Sequence, residues 1–134
     1  MIQEIVVRTS VYNRLEYSHN CSFIDDHSHA NAKIAQLNTY HVVTIDGSVS
    51  RATARDNIPS EVTLQGNYDP AELIEENGKT RGSVQHSATE LLEELGPRRL
   101  IANLGEGLSG KESPNLVSTF VDTIHIVSEQ MLKQ

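Results

Sequence analysis

The sequence contains no tryptophan, one cysteine and few aromatic residues, which make up 4% of its 134 positions. A single cysteine, Cys21, excludes an internal disulfide framework. No hydrophobic run approaches the roughly 18 residues that span a bilayer. The first eight residues place an acid early and lack the apolar stretch of a signal peptide. These absences together predict a cytoplasmic protein with no membrane-spanning segment.

Positive charge is also scarce. The chain has 11 lysines and arginines against 18 aspartates and glutamates, which gives a net charge of −7. Binding to nucleic acid depends on neutralising phosphates with lysine and arginine, so we expect no nucleic-acid partner. The hydrophobic fraction of 37% is ordinary for a globular protein, and the length corresponds to one domain.

The sequence does contain short apolar runs that alternate with helical patterns. This order is typical of parallel βα repeats, and it predicts an α/β fold with a parallel sheet and flanking helices. The repeats number about four and centre on residues 21–37, 41–56, 61–95 and 99–132. Residues 1–20 show no clear pattern, so the folded part is expected over residues 21–134. Four such units correspond either to half of a closed barrel or to a small open sheet.

Proline and glycine mark the predicted ends of helices. Asp69 followed by Pro70 predicts a capped helix start, and Ser113 followed by Pro114 predicts the same for the last helix. Gly96 before Pro97 predicts a left-handed cap that ends the third helix.

Polar residues follow several predicted strands, where the loops of a parallel sheet face the ligand. Asp46 and Glu106 are the acids at these positions, and Gln65 and Asn67 are the amides. Each has a plainer explanation: Glu106 as an exposed loop acid, and the amides as ties between neighbouring loops. Arg98 and Arg99 precede the last strand, so the opposite end of the sheet is predicted for both.

The segment Asp25 to His29 contains two histidines and two carboxylates, which are the atoms of a metal site. No other histidine or cysteine completes a known ligand spacing. A polar cap at the start of a helix explains the segment better, so no metal site is predicted.

Two motifs resemble those of a known family. The stretch Val62-Thr-Leu-Gln-Gly-Asn-Tyr-Asp-Pro70 is followed by a helix ending Leu91-Leu-Glu-Glu-Leu-Gly-Pro97 and by Leu100-Ile-Ala-Asn-Leu-Gly-Glu-Gly-Leu108. In this order they resemble the C-terminal third of uroporphyrinogen decarboxylase. The resemblance is strongest over residues 40–127 and extends weakly back to residue 23.

The resemblance implies a fold and an activity. The family has a (β/α)8 TIM barrel and decarboxylates uroporphyrinogen III, a tetrapyrrole of haem biosynthesis, to coproporphyrinogen III without a cofactor. Its members form homodimers. Site roles would then fall on Asp46, Gln65, Asn67 and Glu106 as substrate-binding residues, with no catalytic residue assigned.

Two departures from the family pattern weaken the catalytic case. The substrate-binding arginines and the essential aspartate of the family come from the N-terminal part of the barrel, which this chain lacks. Glu106 stands where the family motif has a histidine beside the substrate, and Gly47 stands where an aromatic residue is common. A carboxylate repels a polycarboxylate substrate, whereas a histidine can donate a hydrogen bond to it.

Two hypotheses follow. In the first, the chain is a fragment or short form of a decarboxylase and is inactive alone. In the second, it is a non-catalytic remnant that dimerises or docks on a full-length decarboxylase.

Overall fold

The computed structural model describes residues 21–24 and 41–134. Four parallel strands form one sheet in the order β1-β2-β3-β4. The strands are β1 (Cys21–Ile24), β2 (Val42–Ile45), β3 (Thr63–Tyr68) and β4 (Leu100–Leu104). The helices are α1 (Arg51–Asn57), α2 (Arg81–Leu95) and α3 (Pro114–Leu132), with two short 3-10 turns at Pro70–Leu73 and Glu75–Asn77.

The predicted alternation of strand and helix is therefore confirmed for three βα units, β2–α1, β3–α2 and β4–α3. The first unit is described only by its strand, because the helix predicted near residues 30–37 lies outside the described residues. The same holds for residues 1–20 and for the segment Asp25 to His29. Four complete units are thus an expectation, while the parallel α/β architecture is observed.

One face of the sheet is buried beneath the helices. Strand side chains alternate between faces, and Val43, Ile45 and Leu64 are fully buried on the helix side. Their neighbours Thr44 and Gln65 are only half-buried on the other side. Among the described helices none buries that second face, so the sheet is covered on one side by the part of the chain that the structure describes.

The helices pack on the sheet and on each other through an aliphatic stripe. Helix α2 buries Val84, Ala88, Leu91, Leu92 and Leu95, the positions that helical spacing predicts. From α3, Phe120 meets Tyr68 of β3 with ring centroids 4.3 Å apart. The core therefore joins the last two βα units most strongly.

Strands β3 and β4 are longer than predicted. The sequence predicts that the third strand ends at Leu64 and the last at Ala102, with Gln65 to Asn67 in a loop. Residues 65–68 instead continue β3 and pair with β4 as far as the Tyr68–Leu104 position. Parallel pairing satisfies the backbone groups of this polar, glycine-containing segment, so the ladder continues through it.

The predicted caps are only partly confirmed. Asp69 Oδ1 accepts a hydrogen bond from the Ala71 amide at 2.8 Å, but the turn that it caps is 3-10. Gly96 has a positive φ of 79° with ψ of 153°, which is not the left-handed helical conformation that was predicted. The last helix begins at Pro114 with Ser113 at its N-cap position, as predicted, but the Ser113 hydroxyl makes no capping hydrogen bond and donates to Glu75 Oε1 at 2.6 Å instead.

Within residues 21–24 and 41–134, no helix has both the length and the apolar character to cross a membrane.

Candidate functional site

An open cleft of about 410 Å³ lies at the carboxyl ends of the strands. Three loops form it: the β2–α1 loop, the segment after β3 and the segment after β4. The lining residues are Asp46, Gly47, Ser48, Asp69, Pro70, Gly105 and Glu106. This is the end of a parallel sheet where ligands bind. The two acids that the sequence singled out, Asp46 and Glu106, therefore open into one cleft.

Asp46 is held in place by its own loop. Its Oδ1 accepts hydrogen bonds from the Ser48 amide at 2.9 Å and from the Ser48 hydroxyl at 2.5 Å. This is a local side-chain turn of the kind that aspartate favours. Both bonds are donated to the same carboxylate oxygen, so they fix the direction of the side chain.

Glu106 differs from Asp46 in having no such support. It is exposed, and in the described part of the chain its carboxylate makes no hydrogen bond. Its position is fixed only through Gly105, whose amide donates to the Tyr68 carbonyl at 2.8 Å. Glu106 thus contributes charge to the cleft without contributing contacts to the fold.

Asp69, which the sequence predicts only as a helix cap, is a third carboxylate in the cleft. It directly follows β3, so the rule that selects Asp46 also selects Asp69 once the true end of that strand is known. Among the described residues that line the cleft there is no lysine, arginine or histidine. The part of the wall that these residues form is therefore acidic, and it suits N–H donors or cationic groups better than polyanions.

Asn67 lies beneath the cleft and not on its surface. It is 3% exposed, and its Nδ2 donates to the carbonyls of Asp46 at 2.7 Å and Val49 at 3.0 Å. Its Oδ1 accepts from Arg51 Nε at 2.8 Å, and Arg51 also pairs with Glu94 at 2.8 Å. Asn67 therefore ties β3 to the loop that carries Asp46. Of the two roles predicted for this amide, ligand binding and linking neighbouring loops, these contacts support the second.

Gln65 is not among the residues that line the cleft. It is half-buried in the middle of β3, opposite Thr44 of β2 and Ile101 of β4. A side chain there points across the face of the sheet that the described helices leave uncovered. A contact from Gln65 to a ligand therefore needs a ligand that extends over this face.

Gly47 and Gly105 bring two of the cleft loops into close contact. A Cβ at Gly105 would lie 2.8 Å from the Gly47 nitrogen and 3.2 Å from its Cα. No side chain fits this gap without moving one backbone or the other. The mouth of the cleft is consequently set by backbone packing between the β2–α1 and β4–α3 loops.

Asn103 of β4 has an unusual environment. It is 2% exposed, and its Oδ1 has no hydrogen-bond partner among the described residues. A buried acceptor without a donor is costly, so this position favours a donor supplied from outside the described part of the chain.

The β4–α3 loop also contains Glu112, whose carboxylate accepts hydrogen bonds from other residues of the same loop. Glu112 Oε1 accepts from the Ser109 amide and hydroxyl at 2.9 Å, and Oε2 accepts from the Gly110 amide at 2.9 Å. Slight desolvation raises the pKa of Glu112, but these hydrogen bonds outweigh it and lower the pKa from 4.5 to about 2. The loop is therefore organised around an ionised acid.

This pKa makes the loop sensitive to acid. A carboxyl group whose pKa is lower in the folded state stabilises it above the unfolded pKa, and the benefit is lost as pH falls. We expect the free energy of unfolding to decline between pH 4.5 and about 2, and Glu112→Gln to reduce this decline. Urea titrations at several pH values measure it, with Glu76→Gln as an exposed control; equal pH dependence in wild type and Glu112→Gln would contradict the assignment.

In the segments that the structure describes, no group of three or more His, Cys, Asp or Glu side chains is placed to hold a metal ion. Arg98 and Arg99 lie before β4, at the end of the sheet opposite the cleft, as their sequence position predicted.

Comparison with known proteins identifies the family to which the chain that forms this cleft belongs. The sequence profile described as Uroporphyrinogen decarboxylase (URO-D) matches residues 7–127. The mouse (Mus musculus) protein named uroporphyrinogen decarboxylase is 39% identical over 103 residues, and the human (Homo sapiens) one is 38% identical over the same length. The protein of that name from Salinibacter ruber is 35% identical over 92 residues.

These matches cover much of this chain but a small part of the relatives. The mouse and human alignments cover 77% of this chain and 27% of the relative, and the Salinibacter alignment covers 69% and 25%. The matched region is the C-terminal part of the relatives. The predicted resemblance is confirmed, and the profile extends it back to residue 7. The chain belongs to the uroporphyrinogen decarboxylase family.

Proposed function

We propose that this chain is the C-terminal part of a uroporphyrinogen decarboxylase-type TIM barrel and provides one wall of a tetrapyrrole site. One observation carries the proposal: Asp46 and Glu106, from different βα loops, open into one cleft at the carboxyl end of the parallel strands. The side of the sheet that the described helices leave uncovered supports it, because the interior side of a barrel sheet is covered by the opposite strands and not by helices.

The chemistry divides between this chain and the part that it lacks. Decarboxylation in this family protonates a pyrrole-type carbon and leaves positive charge on the ring, which a fixed carboxylate stabilises. The essential aspartate of the family comes from the N-terminal part of the barrel, and Asp46, oriented by Ser48, adds a further carboxylate from the wall that this chain provides. The acid arms of the substrate need cationic partners, and the described residues of the cleft include none. We therefore expect no turnover of uroporphyrinogen III by the chain alone, and no cofactor requirement when the barrel is complete.

The test supplies the missing part in trans. We expect a mixture of this chain with the N-terminal part of a family barrel to convert uroporphyrinogen III to coproporphyrinogen III, while either piece alone does not. Removing one like-charge contact should help binding, so Glu106→His is expected to tighten substrate binding by about tenfold. Glu90→His, an exposed acid on α2 outside the cleft, is the matched control and should change nothing.

The enzymatic proposal fails if the two parts form a folded complex and neither the wild type nor Glu106→His produces coproporphyrinogen.

The side of the sheet that the described helices leave uncovered favours a second candidate function. The chain would then be a non-catalytic module that forms a homodimer or docks on a full-length decarboxylase. Among the described residues, β1 and β4 have no further strand beside them, so both edges and this side of the sheet are available for another chain to cover. A solution mass that stays monomeric at working concentration, alone and with the full-length enzyme, would exclude this function. A homodimer or complex in which Glu106→His changes neither turnover nor porphyrin binding would favour it.

A further inference from the structure

The end of the sheet opposite the cleft holds an open groove of about 610 Å³. It lies between the C-terminal ends of α1 and α2 and the residues before β4. The lining residues are Arg55, Ile58, Ser60, Glu93, Glu94, Leu95, Gly96, Pro97, Arg98 and Arg99. In the proposed function this is the stability end of the sheet, so the decarboxylase chemistry does not use it.

The groove is positively charged in a chain whose net charge is −7. Arg55, Arg98 and Arg99 line it. Of the two acids among the described lining residues, Glu94 is already paired with Arg51 at 2.8 Å, which leaves Glu93 beside three guanidinium groups. The local charge is therefore opposite in sign to that of the cleft at the other end of the strands.

Arg55 is the innermost of these cations. It is half-buried, and it donates from Nε to the Leu95 carbonyl at 2.9 Å and from Nη2 to the Arg99 carbonyl at 3.2 Å. No carboxylate pairs with Arg55 in the described residues, and burial lowers the pKa of its guanidinium. The Leu95 carbonyl at the end of α2 offsets part of this desolvation. A partly buried charge without an acidic partner still favours an anion beside it.

Arg99 is held in an unusual backbone conformation. Its φ is 55°, in the left-handed region that residues other than glycine and asparagine rarely adopt. The Arg99 carbonyl accepts hydrogen bonds from Arg55 and from the Leu64 amide at 2.9 Å, which fixes this conformation. A glycine here would meet the backbone requirement at lower cost. The long cationic side chain is thus present despite the local preference, which is typical of a functional position.

We propose that this groove binds an oxyanion, the phosphate or carboxylate group of a small molecule. Arg98 and Arg99 provide guanidinium donors at its edge, and Arg55 provides positive charge at its base. Guanidinium groups bind both phosphate and carboxylate through paired N–H donors.

The experiment titrates the 134-residue chain with pyrophosphate and, separately, with citrate, at low ionic strength. Amide chemical shifts near residues 95–100 report binding at the groove. We expect saturable one-site binding that weakens as salt is added. Tighter binding of pyrophosphate would identify phosphate as the preferred oxyanion, and tighter binding of citrate would identify carboxylate. Arg99→Gly is expected to weaken binding at least tenfold while leaving the urea midpoint unchanged or higher, since glycine accommodates the positive φ.

Two further variants make the result specific. Arg98→Gln should also weaken binding, whereas Lys133→Gln, which removes an exposed cation on the far end of α3, should leave the affinity within twofold. Absence of saturation at millimolar probe, or equal affinity in wild type and Arg99→Gly, would overturn the proposal. Glu106→His leaves this groove untouched, so failure of anion binding and failure of the decarboxylase proposal are separate results.

Discussion

Gly66→Ala is expected to lower the free energy of unfolding by at least about 3 kcal/mol, a large fraction of the roughly 5–15 kcal/mol that stabilises an ordinary domain. A Cβ at this position would lie 2.3 Å from the Ile45 carbonyl oxygen and 3.2 Å from Ile45 Cγ1. Real side chains do not approach a carbonyl oxygen so closely, and the contact is with backbone inside the sheet, so β2 and β3 must separate. The φ of Gly66, 135°, adds strain for any residue with a Cβ.

A matched substitution separates these two causes. Gly78 also has a positive φ, 76°, but a Cβ there would meet nothing within 4 Å. Gly78→Ala should therefore cost only about 1 kcal/mol, the conformational part alone. Urea titrations followed by far-UV circular dichroism compare the two variants. Similar losses in both would mean that β3 does not approach β2 as described.

Asn67→Ala is expected to lower the free energy of unfolding by about 2–4 kcal/mol, because it leaves buried polar groups unpaired. The carbonyls of Asp46 and Val49 lose their donor, and Arg51 Nε loses its acceptor. The pair between Arg51 and Glu94 survives, so the damage should concentrate in the β2–α1 loop. Faster amide hydrogen exchange at Gly47 and Ser48 is the local sign of this change.

Gln65→Ala provides the control from the same strand. Gln65 was predicted beside Asn67 as a substrate-binding amide, but it is half-buried and makes no side-chain hydrogen bond in the described residues. Its truncation should cost less than about 1 kcal/mol. An equal loss of stability in the two variants would contradict the central place of Asn67 in the hydrogen-bond network.

The sequence predicts the fold best where the spacing of apolar residues matches the period of a strand or a helix. Val43 and Ile45 are fully buried in β2, as a continuous β-branched run indicates, and the apolar positions of α2 are those that helical spacing selects. The end of β3 was predicted too early because Gln65, Gly66 and Asn67 are turn residues by composition. Only the partner strand β4 reveals that their backbone groups are paired, and pairing across a sheet is not encoded locally.

The same limit applies to the candidate site. Asp46 and Glu106 could be placed in one cleft from sequence because both follow strands of a parallel sheet. Asp69 was missed together with the true end of β3. Arg51 could not have been found, since its contact with Asn67 joins residues 16 positions apart and its contact with Glu94 joins residues 43 positions apart. Such contacts depend on how α1 and α2 pack together, and no local pattern specifies that.

The segment from Glu106 to Leu108 has a consequence for how this family member changes over time. It is exposed and lies between two anchored points, the Gly105 amide bound to Tyr68 and the Ser109 amide bound to Glu112. Substitutions between those anchors alter the charge of the cleft without disturbing the core, so they carry little penalty in folding. Histidine and glutamate at position 106 are therefore expected to be equally compatible with the fold, and the choice between them affects the ligand and not the scaffold.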